Sequence, residues 1–218
     1  MKIIFNLMWV LFTALVISGC NNEASPLEDN SANDQAVPME DAEEVLADVM
    51  NTSEKSVAEA KMQNTKGEVI GNVRFYEKDK AVVVEALFEK GLPRGFHGFH
   101  IHETGVCDPN AADGPFTTAG GHYNPDGTDH GDHAGDMTIL YGVEDGSAYL
   151  LTALDRFNPQ QLANENRAVI VHSDADNFAN IPDRYTSDLS NESGPDEETL
   201  KTGDSGDRIS CGVIKASN

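Results

Sequence analysis

The chain has 218 residues, with 37 Asp or Glu against 15 Lys or Arg, for a net charge of −22 and a pI near 4.4. That balance argues against nucleic acid or an anionic membrane surface as a partner held by charge. No repeat, P-loop or dinucleotide-binding glycine fingerprint is present, and the 19 glycines recur between short apolar runs, a pattern that favours an all-β domain rich in turns.

The N-terminus reads as a targeting segment. Lys2 is its one positive charge, and Ile3 to Ile17 is almost unbroken apolar sequence, too short for a comfortable membrane span and suited to a signal-peptide core. It ends in Ile17-Ser18-Gly19-Cys20, which resembles a bacterial lipobox; cleavage after residue 19 would leave Cys20 to carry lipid and anchor the protein to a membrane without spanning it. The alternative is an ordinary signal peptide with an incidental cysteine. Residues 20–54 follow as an acidic tether, with ten acids, no Lys or Arg and too little apolar surface to order itself, apart from a short helix over Asp41–Met50.

A domain over residues 55–218 begins where period-two alternation sets in. Val69, Gly71, Val73 and Phe75 share one strand face, and Val82, Val84, Ala86 and Phe88 do the same after a turn at Glu77-Lys78-Asp79-Lys80. Further strands are predicted at Val57–Met62, Phe96–His102, Met137–Tyr141, Ala148–Ala153, Ala168–His172 and Ile209–Ile214, about eight in all. Glu103–Asp136 and Ser173–Arg208 interrupt the rhythm, and connections of that length inside a domain usually carry function. The expected architecture is an eight-stranded β-sandwich or barrel with two long functional loops.

The first interruption and the strand before it hold six of the seven histidines; the seventh, His172, closes the Ala168–His172 run. Neutral imidazole is a good ligand for zinc or copper. His100 and His102, two apart on a strand, point to one face. His130, His133 and Asp136 are spaced by threes in a Gly/Asp-rich segment able to wrap an ion, and His122 lies between the groups. A metal site is the leading reading from these residues, and the spacing leaves room for two adjacent ones. With Cys20 assigned to lipid, Cys107 and Cys211 remain as an even pair in an exported protein, where a disulfide is expected. Closing a loop of that length stabilises by about 4–5 kcal/mol in the chain-entropy picture.

Four segments then resemble the copper/zinc superoxide dismutase family: Gly98-Phe99-His100-Ile101-His102-Glu103, His122-Tyr123-Asn124-Pro125, His133-Ala134-Gly135-Asp136, and Gly203 to Ile214 with Arg208 and Cys211. The likeness runs in order from about Ser56 to the C-terminus. It implies a Greek-key β-sandwich. It also implies copper held by His100, His102, His122 and His172, and zinc held by His122, His130, His133 and Asp136, with His122 bridging the two. Asp176 matches the outer carboxylate linking a copper histidine to a zinc histidine, Arg208 the arginine beside the open copper face, Lys201 a substrate-guiding lysine, and Cys107–Cys211 the family disulfide. His97 matches no ligand and reads as an ordinary surface or strand histidine.

The implied activity is disproportionation of superoxide anion to oxygen and hydrogen peroxide, copper cycling between Cu2+ and Cu+ beside a structural Zn2+, in an exported protein at the periplasm or cell surface, as a monomer or homodimer. Two departures from the family pattern stand out. Only Gly131 and Asp132 separate His130 from His133, where a longer insert is common, and the loop after His172 carries Asp188, Glu192, Asp196, Glu197, Glu198, Asp204 and Asp207 against Arg184, Lys201 and Arg208, so weaker steering of an anion is expected. A second reading, a metal-binding module without turnover, would be favoured by loss of a copper histidine or of Arg208; all are present.

Overall fold

A computed structural model describes residues 55–78, 81–188, 191 and 193–217. The leader, Cys20, the tether with its short helix, Asp79 and Lys80 of the first turn, and Glu192 lie outside the described residues.

Nine strands form among them: β1 (Ala58–Asn64), β2 (Val69–Lys78), β3 (Ala81–Phe88), β4 (Gly95–His97), β5 (Phe99–His102), β6 (Leu140–Gly142), β7 (Ala148–Leu154), β8 (Ala168–His172) and β9 (Arg208–Ala216). Two short helices, α1 (Pro159–Asn164) and α2 (Thr199–Thr202), and one 3-10 turn at Thr117–Ala119 interrupt the loops. Seven strands make one antiparallel sheet in the order β5-β8-β9-β1-β2-β3-β7, while β4 and β6 pair separately. The sheet curls around a core in which Met62, Phe75, Phe88, Phe99, Ile101, Leu140 and Ile214 are fully or almost fully buried. The strand order places β9 beside β1 and β8 beside β5, the non-sequential pairing of the all-β Greek-key fold expected from the family resemblance.

Two local departures from strict alternation have physical causes. The predicted strand Phe96–His102 is two strands, because the chain changes partner at Gly98: β4 pairs with β6 and β5 with β8. Gly98 donates its N–H to the Asp174 carbonyl and accepts from the His172 N–H, both at 2.8 Å, and a Cβ there would stand 2.6 Å from that of Ser205. On β2, Val73 and Phe75 are inward as predicted, but Val69 is 62% exposed and Ile70 is buried instead. The β1–β2 register shifts there, Met62 facing Gly71 while Gln63 faces Val69, and this bulge moves the first residues of the strand to the opposite face.

A second, smaller apolar cluster of Phe116, Ala119, Ala168, Ile170 and Cys211 lies under the loop after β5, with Cys107 packed against it. The Cys107–Cys211 disulfide closes that cluster, with its Cα atoms 5.6 Å apart, and ties the loop to β9 as expected.

Candidate metal centre

Alternation on β5 builds the first half of the site. Phe99 and Ile101 face the core, so His100 and His102 face outward, beneath the two long loops, where both are fully buried. Neighbouring β8 sends Val169 and Val171 to the same core and ends at His172, where a register shift against β9 begins. His102 Nε2 and His172 Nε2 face each other at 3.3 Å.

The loop after β5 is stitched back onto that strand by backbone bonds. The Tyr123 N–H donates to the Ile101 carbonyl at 2.8 Å, the Ile101 N–H to Gly135 at 2.9 Å, and the Glu103 N–H to Gly121 at 3.0 Å. These bonds bring His122 opposite His102 and Asp136 opposite His100. Ligand atoms of His100, His102, His122 and His172 all lie within 4.8 Å of one another, and so do those of His100, His122, His130 and Asp136. His133 stands at the edge of the second group: its Nδ1 is 3.4 Å from Asp136 Oδ1, and its ring centroid is 5.2 Å from that of His130. All the histidines of both predicted sets therefore meet in one buried cluster, with His100 and His122 at its centre.

One nitrogen of most of these rings is committed to the protein. His102 Nδ1 faces the Gly120 carbonyl at 3.0 Å and His172 Nδ1 the Gly206 carbonyl at 3.1 Å, which leaves Nε2 of each for a ligand role. Asp176 accepts from His100 Nε2 through one oxygen and from His130 Nε2 through the other, both at 2.8 Å, so the two Nδ1 atoms are left over. Nδ1 of His100, His130 and His133 is buried with no hydrogen-bond partner. Three orphaned buried imidazole nitrogens aimed into one cluster are costly unless something pairs with them. His122 Nδ1 lies 3.2 Å from Asp136 Oδ1, and His130 Nδ1 stands 3.3 Å from Asp136 Oδ2 without hydrogen-bond alignment.

The electrostatics divide the cluster. Burial, reinforced by neighbouring imidazoles, holds His102 and His172 well below their ordinary value and brings His122 down to about 3. Burial also lowers His100, against the pull of Asp176. His130 goes the other way: burial opposes the charge, but the carboxylates of Asp136 and Asp176 outweigh it and raise the ring to about 9. Both carboxyls, although burial disfavours their charge, are held well below the usual range by the surrounding imidazoles. One side of the cluster is thus a set of neutral imidazoles, and the other sets two ionised carboxylates around the His130 ring.

Loop 173–207 completes the enclosure. The His130 N–H donates to the Leu200 carbonyl of α2 at 2.8 Å, and α2 ends at Gly203 with φ +60°, in the left-handed region. A Cβ on Gly203 would overlap Asp176 and His130, so only glycine lets the helix end sit on that pair. An open cleft of about 970 Å³ reaches the cluster, lined by His122, His133, His172 and Arg208 and by Glu103, Asp129, Glu197, Glu198, Lys201, Asp204 and Asp207. Arg208, half-buried at the start of β9, donates to the Phe116 carbonyl at 2.8 Å and the Gly120 carbonyl at 2.6 Å, which pins its guanidinium beside the cleft. Lys201 also lines the cleft, but its ammonium is 2.6 Å from Glu197, so the charge predicted to guide an anion is already paired.

His97 is a strand histidine, in β4, and it does not lie at the surface. It is buried, and its ring nitrogens face the carbonyls of His172 and Pro93, each at 2.8 Å. It braces the backbone of His172. The signal was in the alternation, since residues 97, 99 and 101 share the inward parity.

Comparison with known proteins agrees with this geometry. Residues 69–214 match the family described as copper/zinc superoxide dismutase (SODC). The chain belongs to that family. A protein named superoxide dismutase [Cu-Zn] from Mycolicibacterium paratuberculosis is 42% identical over 142 residues, covering 62% of this chain and 63% of the relative. One of the same name from Mycobacterium tuberculosis is 45% identical over 130 residues, covering 56% and 54%. Superoxide dismutase [Cu-Zn] 2 of Aquifex aeolicus is 34% identical over 171 residues, covering 72% and 86%. The chain thus spans 63% and 54% of the length of these two mycobacterial relatives. Copper and zinc, the metals of the superoxide dismutase family, are the pair that the two donor groups and their orphaned nitrogens fit.

Proposed function

We propose that this protein disproportionates superoxide, converting two anions and two protons to oxygen and hydrogen peroxide. Its metal set is then His100, His102, His122 and His172 for copper, and His122, His130, His133 and Asp136 for zinc, with Asp176 orienting one ring of each set. Copper supplies the one-electron redox cycle that no side chain here provides, and zinc supplies fixed positive charge. The observation that carries the reading is a buried cluster of imidazoles with free nitrogens, opening on a cleft beside a pinned arginine.

Within that cleft the chain's own residues bind, orient and protonate. Arg208 presents donors to a small anion in a partly desolvated setting, and both its backbone bonds fix where that anion sits. His122 keeps Nδ1 toward Asp136, which leaves Nε2 as the atom that takes up a proton and passes it to the reduced substrate. The reading is tested by superoxide decay in the full chain, reconstituted with copper and zinc beside the metal-free form. Metal-dependent turnover supports it; stoichiometric copper uptake without turnover leaves a copper-binding module.

Residues 1–19 as leader, lipidated Cys20, and residues 20–54 as tether make the protein an exported, membrane-anchored dismutase in this proposal, supported by the lipobox-like Ile17–Cys20 and the acidic composition that follows. Intact mass of the processed protein and the membrane-to-soluble distribution of Cys20→Ser test that part, and sedimentation distinguishes monomer from homodimer.

A further inference from the structure

We propose that Arg156, on the connection between β7 and α1, is a positioning residue for the zinc loop, so that zinc retention in this chain depends on a cation outside the ligand set. The inference rests on the reading that His130, His133 and Asp136 hold zinc.

The interval between His130 and His133 is two residues, Gly131 and Asp132. So short a turn must aim two imidazoles and a carboxylate at one point, and it has little chain of its own to brace it. Gly131 adopts φ +93°, and its N–H donates to Asp136 Oδ2 at 2.8 Å. Arg156 grips the other side of the same turn. Its Nη1 donates to the Gly131 carbonyl at 2.7 Å and reaches the His133 carbonyl at 3.2 Å, while Nη2 stands 3.7 Å from Asp132. One planar guanidinium therefore reaches three consecutive residues of the loop: Nη1 serves both carbonyls and Nη2 turns toward Asp132, a spread over two nitrogens that a lysine's single nitrogen reproduces only in part.

Arg156 is held to do this. The next residue, Phe157, packs edge-on against core Phe75 with ring centroids 6.1 Å apart, and the Asn158 side chain caps α1 by accepting from the Gln161 N–H at 3.0 Å. Opposite Arg156, the Phe178 carbonyl closes over Gly131, where an added Cβ would stand 2.8 Å from it. The Asp132 ion pair is a lesser part of the device, since that carboxylate is 84% exposed and screened by water. Arg156 is bonded to residues of the zinc loop, and among the described residues none of the histidines proposed for copper is its partner.

The test uses the full chain, purified metal-free, as wild type, Arg156→Gln, Arg156→Lys and Asp132→Asn. Zinc and copper affinities are measured separately by chelator competition, the visible spectrum of cobalt(II) in the zinc position reports ligand geometry, and thermal unfolding reports the metal-free fold. Expected for Arg156→Gln is a loss of zinc affinity of about 10–100-fold with an altered cobalt spectrum and unchanged copper affinity, the size typical of an outer residue that orients ligands. Arg156→Lys recovers part of the loss, and Asp132→Asn changes zinc affinity less than about fivefold, as for an exposed pair. Wild-type zinc affinity and cobalt spectrum in Arg156→Gln would overturn the inference; so would equal losses of zinc and copper accompanying a destabilised metal-free fold. A wild-type chain that takes up no zinc would instead overturn the metal assignment beneath it.

Discussion

His100, His102 and His172 stand on paired strands, whereas His130, His133 and Asp136 come from one short loop, and the two groups are held in place by different physics. On β5 and β8 each imidazole is placed by backbone ladders and by Phe99, Ile101, Val169 and Val171 packing on the far side. On the loop, placement comes from single bonds: Leu200 to the His130 backbone, Asp176 to its ring, Gly131 and His133 N–H groups to Asp136, and Arg156 to the outer carbonyls. The strand group is expected to keep its shape without metal, and the loop group to depend on charge and on each brace.

The largest effect should come from the strand group. His172→Ala removes one of the four proposed copper donors, and dismutation should fall by more than the roughly hundredfold seen when only an outer partner is lost. Circular dichroism should remain that of wild type, because β8 keeps its ladder; a variant that retains turnover would remove His172 from the copper set. Asp176→Asn touches both groups at once and separates them. It should weaken zinc about 10–100-fold and copper less, since the His100 backbone stays fixed in β5 while the His130 ring loses its brace. Equal losses of both metals would mean that the strand ladder does not confer the rigidity argued for it.

Acid sharpens the contrast in the metal-free chain. His122 protonates near pH 3 when folded against 6.5 when unfolded, and His102 and His172 are depressed in the same direction. Between those values the unfolded state binds more protons, so stability falls as pH drops, by up to about 1.4 kcal/mol per pH unit for each such ring. Asp136 and Asp176, held low when folded, add to that loss as pH falls further through the carboxylate range. His130, raised to about 9, contributes fully below 6.5 and loses its contribution as pH rises through 9. Urea midpoints measured from about pH 7 to about pH 4 should fall steeply, and a flat profile would contradict the buried neutral rings.

Gly203→Ala should cost about 1 kcal/mol or more through its positive φ and its overlap with Asp176 and His130, and should weaken zinc ahead of copper. The smallest effect belongs to Lys201→Ala. Its charge is already paired with Glu197 on an exposed surface, so the unfolding free energy should barely move and the salt dependence of turnover should change little. A large rate loss would show that the pair opens when substrate approaches.

Much of this was legible from the chain because period two is a local property. Apolar residues at 82, 84, 86 and 88 could only line one face, and an H-x-H strand whose intervening residues are apolar had to send both imidazoles to the other. The three-residue spacing of His130, His133 and Asp136 likewise named the loop group, the count of cysteines gave the Cys107–Cys211 pair, and the family resemblance supplied Asp176 and Arg208. Parity also pointed to a buried His97, although histidine chemistry suggested otherwise. The break at Gly98 and the bulge that turns Val69 outward were not legible, because each is set by a partner strand or loop far along the chain. Arg156 carried no local signal at all: it lies more than twenty residues from the turn it grips. The sequence by itself thus determined the all-β class, the residues rich in metal chemistry and which of them share a strand face, since those follow from side-chain type and backbone period. Only the tertiary structure decided which nitrogen of each ring is free, that one carboxylate ties the two groups, that Lys201 is already paired and that Arg156 braces the loop, because those depend on distances between segments that no local pattern encodes.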